Sequence, residues 1–445
     1  MQPKDARELT LDHSIAAADA VASADVKQPV RPKLLQVLGP GLITGASDDD
    51  PSGIATYSQA GAQFGFDLGW TLIASWPLMC AIQEISARIG RVTGRGLAGN
   101  LKRHYPPLLV YMLIFLLVLA NTINLGADLG AMAAALQLLI GGSQLLYVAM
   151  FAVISVLLEV FLRYSRYVSV LKWLSLSLFA YVGAALVVHL PWATVAQRLV
   201  FPHLSWSAGY VTTVAAILGT TISPYLFFWQ AEQEVEGMHE SPHTLALTQR
   251  PAPAQAEFSR IRWDTYLGMG LSNVVALFIV LTTAATLHAH GITDIQTSAQ
   301  AAEALRPIAG RWVFLVFALG IIGTGLLALP VLGGSAAYAL GELRGWPVGL
   351  ARKLGRAKAF YATIAAATVV GGALNFSAID PIKALFWCAV VNCIVAVPVM
   401  IMMMHLSTHA PAMGSFRLPG GLRMVGWLAT AVMVAATIGV IVAAF

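Results

Sequence analysis

Asp48-Asp49-Asp50-Pro51-Ser52-Gly53 interrupts a stretch, residues 36–65, that is otherwise apolar enough to cross a membrane. Facing lipid, one mid-membrane carboxylate costs roughly 2.5–3.5 kcal/mol, so three would cost about 8–10 kcal/mol. These side chains must therefore face protein or water. Pro51 removes a backbone donor, and the small residues beside it favour a break in the helix. A broken helix with carboxylates at the break reads as a cation site.

The rest of the chain is the solvent for that site. Of its 445 residues 58% are hydrophobic and only 11% charged, where soluble domains carry about a quarter charged residues. With a mean hydropathy of +0.72, this is a polytopic membrane protein, and its main partner is the lipid bilayer. The net charge of +5 suits basic inner loops and does not argue for nucleic acid. Residues 1–33 are polar and lack the basic-then-apolar order of a signal peptide, so a disordered cytoplasmic tail is expected. Cys80, Cys388 and Cys393 lie in apolar runs without metal-ligand spacing to histidine. No bound cofactor and no obligate protein partner is implied.

Eleven apolar segments are long enough to span, at about 36–65, 68–88, 108–138, 145–163, 168–190, 209–232, 264–287, 312–340, 358–374, 384–405 and 422–444. Basic residues concentrate in alternate connections, among them Arg88, Arg91, Arg95, Lys102 and Arg103, then Arg344, Arg352, Lys353 and Arg356. The positive-inside rule makes those cytoplasmic. The N-terminus is then inside and, after an odd number of spans, the C-terminus outside. The connection 237–262, with Pro242, Pro251 and Pro253, reads as a flexible cytoplasmic loop.

Span six carries a second interruption, Thr220-Thr221-Ile222-Ser223-Pro224-Tyr225. Pro51 and Pro224 thus mark breaks five spans apart, in helices that cross in opposite directions. A lone proline is usually a simple kink, but a matched pair is the pattern of an inverted-repeat transporter whose substrate sits at the two breaks. The expected architecture is all-α. One repeat covers residues 34–190 (spans one to five), the second covers 209–405 (spans six to ten), and an eleventh helix spans 422–445.

At these residues the chain resembles the Nramp family of divalent-metal transporters. Gly39-Pro40-Gly41 opens span one, Asp50-Pro51-Ser52-Gly53 stands at the family's Asp-Pro-Gly-Asn motif, and Gln59-Ala60-Gly61-Ala62-Gln63-Phe64-Gly65 follows. Ser86-Ala87-Arg88-Ile89-Gly90-Arg91-Val92-Thr93-Gly94 closes span two, and Asp128-Leu129 matches the acidic site of span three. The resemblance covers most of the chain and implies a LeuT-type fold with eleven spans and a divalent cation as cargo.

The departures have a chemical direction. The motif asparagine is Gly53. The family's Met-Pro-His of span six is Ser223-Pro224-Tyr225; a second family histidine falls on Gln230, and a span-three glutamate on Ala131. Thioether sulfur favours transition metals, whereas oxygen suits Mg²⁺, Ca²⁺ and Mn²⁺. Mg²⁺ also keeps several of its waters when bound. Loss of the sulfur, with a cavity widened at Gly53, points to partly hydrated Mg²⁺ rather than dehydrated Mn²⁺. In this the chain is similar to the Nramp-related magnesium transporters.

Asp50 is expected to be the central carboxylate, with carbonyls from Gly53 and from Thr220 or Thr221. Ser223 and Tyr225 are expected to bond to the ion's waters. Of Asp48 and Asp49, one would line the outer vestibule and the other cap the second half-helix. Asp128, Gln230 and Asn392 form the outer ring of candidates, and Asp128 has a purely structural alternative, bonded to Asn121 or Asn124. Glu232, Glu234 and Glu236 read as a solvated helix end.

All ten histidines fall in tails, loops or span ends, so the usual side chain titrating near neutral pH is missing from mid-membrane. Transport without obligatory proton coupling is expected. Three rivals remain: a proton-coupled Mn²⁺/Fe²⁺ importer, a Na⁺-coupled carrier of an organic substrate, and an intramembrane aspartyl protease using Asp50 and Asp128. The protease lacks a Gly-x-Gly-Asp type loop.

Overall fold

The computed structural model describes residues 40–161, 178–240, 244–376 and 380–444. The expected N-terminal tail, and residues 168–177 of the fifth expected span, lie outside them. Among the described residues there is no strand, and nine helical runs are long and apolar enough to cross a membrane. The difference from eleven has two sources. Spans one and two count as one run, Pro51–Thr93, and span five falls partly on residues not described, which leaves the helix Phe179–Val187 too short to count.

The helices used below are α1 (Pro40–Asp48), α2 (Pro51–Phe64), α3 (Gly69–Thr93), α4 (Leu97–His104), α5 (Pro107–Ile140), α6 (Gln144–Phe161), α7 (Phe179–Val187), α8 (Trp192–Val200), α9 (Ala208–Thr221), α10 (Pro224–Glu240), α11 (Ala254–Thr286), α12 (Ser298–Glu303), α13 (Val313–Arg344), α14 (Lys358–Ala373), α15 (Pro381–Thr408) and α16 (Gly420–Ala444).

Both interruptions are real. Pro51 and Pro224 are each the first residue of a new helix, where the missing N–H costs nothing. They start half-helices rather than kink continuous ones. The pairs α1–α2 and α9–α10 run through the centre. Helices α3, α5, α11, α13 and α15 pack around them, while α6 and α14 lie outside against α5. At the end of α2 the chain turns at Gly65 (φ 60°), a left-handed conformation that only glycine adopts cheaply.

Polarity is inverted relative to a soluble helix. On α5, Leu108, Met112, Phe115 and Leu119 are exposed, and Leu117, Asn121, Asn124 and Asp128 are buried. Both sets follow helical spacing on opposite faces. The lipid face is apolar and the interior is polar, so every buried polar group must find its partner inside the protein.

Close approach of α1 to α11 depends on small residues. A Cβ on Gly41 would lie 2.7 Å from the Thr265 nitrogen and 2.9 Å from the Asp264 carbonyl oxygen, and one on Gly45 would collide with the backbone of Gly268. The contact is backbone on backbone. Polar bonds pin it at both ends, the Gly41 N–H donating to Asp264 Oδ2 at 2.7 Å and Ser272 Oγ donating to Asp48 Oδ2 at 2.8 Å.

The connection expected as a flexible loop is anchored. The Leu247 and Thr248 N–H groups donate to the carbonyls of Arg91 and Val92, each at 3.2 Å, and α11 begins at Ala254, ten residues before the expected span.

Candidate functional site

Asp50 stands at the junction of the two breaks. It is the N-cap of α2, with Oδ1 accepting from the Gly53 N–H at 2.7 Å, the usual way an orphan amide of a first turn is satisfied. Capping of this half-helix was expected from Asp48 or Asp49; it comes from Asp50 because an N-cap sits immediately before Pro51. Its Oδ2 accepts from Asn124 Nδ2 of α5 at 3.2 Å and from the Tyr225 hydroxyl of α10 at 3.2 Å. The residue is 1% exposed. Three elements thus converge on one carboxylate.

Asp48 and Asp49 turn the other way, towards α11. Ser272 Oγ lies 2.8 Å from Asp48 Oδ2 and 3.1 Å from Asp49 Oδ1. One hydroxyl proton serves two carboxylates, and Asp48 Oδ1 has no hydrogen-bond partner. The vestibule role expected of Asp49 is not seen, since Asp49 is buried and bonded to α11.

The widening expected of Gly53 is also not seen. A Cβ built there would sit 3.1 Å from the Asp48 carbonyl oxygen, 3.3 Å from the Thr220 hydroxyl and 3.3 Å from the Tyr57 ring. Gly53 lets the two breaks touch rather than opening a space between them. An open cavity of about 580 Å³ lies farther along α2. Its walls include Ala55, Gln59, Gln63, Thr213, Asp294 and Lys383, and it stops short of the three buried aspartates.

The second break closes largely on itself. Ser223 Oγ donates to its own helix, 2.7 Å from the Gly219 carbonyl and 2.8 Å from that of Thr220. Thr221 Oγ1 donates to Ile217 O at 2.9 Å. The Ser223 hydroxyl is therefore held against the backbone of the preceding turn, and the Thr220 carbonyl already has one donor.

Asp128 is completely buried, and neither of its oxygens has a hydrogen-bond partner. The structural alternative, in which Asn121 or Asn124 holds it, does not occur. Asn121 donates to Leu332 O and Ser335 Oγ at 3.0 and 2.8 Å, and Asn124 donates to Asp50. Asp128 lies within electrostatic range of the Asp50 carboxyl and of the Tyr225 hydroxyl. Gln230 is not brought to Asp50. Its Oε1 accepts from Thr44 Oγ1 at 2.5 Å, joining α10 to α1. Asn392 is buried on the stretch of α15 that lies against Gly219 of α9.

The acidic run on α10 is a correction. Glu232 and Glu234 are buried, not solvated. Glu234 pairs with Arg260, Glu236 accepts from the Tyr338 hydroxyl and, at 2.6 Å, from the Ala351 N–H, and Glu232 meets Glu342. Glu342 in turn accepts from Gly96 and Gly99 N–H at 2.8 and 2.7 Å. Adjacent charges looked solvated because their partners lie far away in sequence.

Among the described residues, no group of three or more His, Cys, Asp or Glu side chains converges to hold a metal. What the junction offers is one central carboxylate ringed by neutral oxygen and nitrogen groups. Sequence reasoning missed Asn124 as its partner and Ser272 as the clasp of Asp48 and Asp49. The spacing of Asn124 four residues before Asp128 was the one available signal; for Ser272 there was none.

A family model described as natural resistance-associated macrophage protein-like matches residues 41–443. The chain belongs to the Nramp family. Nramp proteins are divalent-metal transporters, not enzymes, which removes the protease rival. This Nramp chain is similar in structure to a manganese transporter of Eremococcus coleocola, in complex with an aromatic bis-isothiourea substituted compound. The TM-score is 0.69 at 18% identity, over 91% of this chain and 86% of that one. It is also similar to Mhp1, a nucleobase-cation-symport-1 family transporter in a closed conformation with bromovinylhydantoin bound, at TM-score 0.53 and 13% identity over 91% and 92% of the two chains. At such identities the likeness is one of fold, and that fold is LeuT-type.

Proposed function

We propose that this Nramp chain carries Mg²⁺, in partly hydrated form, across the cell (inner) membrane by alternating access and without obligatory proton coupling. The observation that carries the reading is the company of Asp50. An amide, a phenol and a backbone N–H surround it, and Tyr225 stands where the family has histidine. Such a site offers hydrogen bonds to water more readily than soft ligands to a bare transition metal.

In this reading Asp50 is the central group and Gly53, Thr220 and Thr221 lend carbonyls. Tyr225 adjoins the ion's waters, Ser223 closes its own break, and Pro51 and Pro224 start the two half-helices. Asp49, Asp128, Gln230 and Asn392 act at a greater distance. The basic loops put the N-terminus in the cytoplasm and the C-terminus outside. Uptake of Mg²⁺ against Mn²⁺ into proteoliposomes, with a pH-sensitive dye inside and Asp50→Ala as control, tests it. Saturable Mg²⁺ uptake without internal acidification is expected.

A second reading, a proton-coupled Mn²⁺/Fe²⁺ importer, is favoured by one feature: Asp128 is buried with no donor and so is available to hold a proton. Metal-dependent acidification with Mn²⁺ outcompeting Mg²⁺ would establish it instead.

A further inference from the structure

An ion-bound water points its oxygen at the metal and both hydrogens outward. A hydrated cation therefore presents donors only, and a surface that fits it must present acceptors with nothing else bonded to them. Buried acceptors of that kind are rare because leaving one unmade costs about 1–3 kcal/mol. One face of α5 carries several. Asn124 Oδ1 has no partner, nor has either oxygen of Asp128 one turn on, and both residues are wholly buried. Asn121, three residues before Asn124, adds an unpartnered Oδ1.

Asn124 stands apart in this row because it does two things at once. Its Nδ2 donates to Asp50 Oδ2 at 3.2 Å, fixing the carboxylate. Its Oδ1, on the other arm of the amide, is left with no partner. An amide is the one neutral side-chain group that holds a carboxylate with its nitrogen while offering an oxygen to water.

We propose that Asn124 is a specificity-determining residue for the cation: it positions Asp50 through Nδ2 and, with Asp128, receives the hydrogens of the ion's remaining waters through Oδ1. This rests on the hydrated-Mg²⁺ reading above. A metal that sheds its water has less use for such acceptors, so Asn124 favours the cation that dehydrates more reluctantly.

The test is initial-rate uptake of Mg²⁺ and of Mn²⁺ in proteoliposomes by the wild type, Asn124→Ala, Asn124→Ser and Asp50→Ala. In Asn124→Ala the KM for Mg²⁺ should rise about tenfold, with the maximal rate largely kept and the Mg²⁺/Mn²⁺ ratio of kcat/KM falling. Asn124→Ser, which restores a small donor and acceptor, should recover part of both. Thermal midpoints in detergent identify a variant that has lost its fold, and Asn124→Ser then carries the comparison. Asn124 variants with wild-type KM and selectivity, or with only a lower maximal rate for both ions alike, overturn the proposal. Failure of the underlying reading looks different: the wild type moves no Mg²⁺, or Asp50→Ala transports normally.

Discussion

The two helix breaks have the same outline and opposite chemistry. At the first, every carboxylate takes its side-chain partners from elsewhere in the chain: Asp50 from α5 and α10, Asp48 and Asp49 from α11. At the second, the hydroxyls of Thr221 and Ser223 bond to their own last turn. One break reports the state of three other helices, and the other is a local piece of backbone engineering. In a transporter that alternates, the first is where motion and charge meet, and the second supplies shape.

That contrast can be broken by substitution. The largest effect is expected from Asp50→Ala, which leaves two side-chain donors without their acceptor; uptake into proteoliposomes should fall to the level of empty liposomes. Ser272→Ala comes next. It strips Asp48 and Asp49 of a shared donor, costing about 1–3 kcal/mol, and should lower the thermal midpoint as well as the transport rate. Tyr225→Phe removes one of the two side-chain donors to Asp50 and keeps the ring, so KM should rise by about tenfold or less with the fold intact. Ser223→Ala should change transport least, by under about 1 kcal/mol, because its hydroxyl serves only its own helix. If Ser223→Ala proves as damaging as Asp50→Ala, the division of labour between the breaks is wrong.

Much of this was legible in the sequence, and what was not has a common physical cause. The breaks announced themselves because proline and small polar residues in an apolar span have few other uses. On α5 the local sign of a buried side was the polar set Asn121, Asn124 and Asp128, spaced to share one helical face. Several readings went astray, among them an Asp48 or Asp49 in the vestibule, Gly53 as a widening, and the Glu232–Glu236 run as solvated. Each depended on groups from another helix or loop: Ser272 beside Asp49, Thr220 beside Gly53, and Arg260, Tyr338 and Glu342 around the glutamates. Local sequence says where a polar group is placed; which distant group answers it is a property of the assembled helices.

The flank of α1 has a mechanical consequence. Surfaces that interlock through side chains must climb over one another to shift, whereas glycines set against bare main chain leave no teeth to disengage. With Gly41 tied to Asp264 at one end and Asp48 clasped by Ser272 at the other, this short rod is fastened along α11, and any shift of that helix would carry the first break with it.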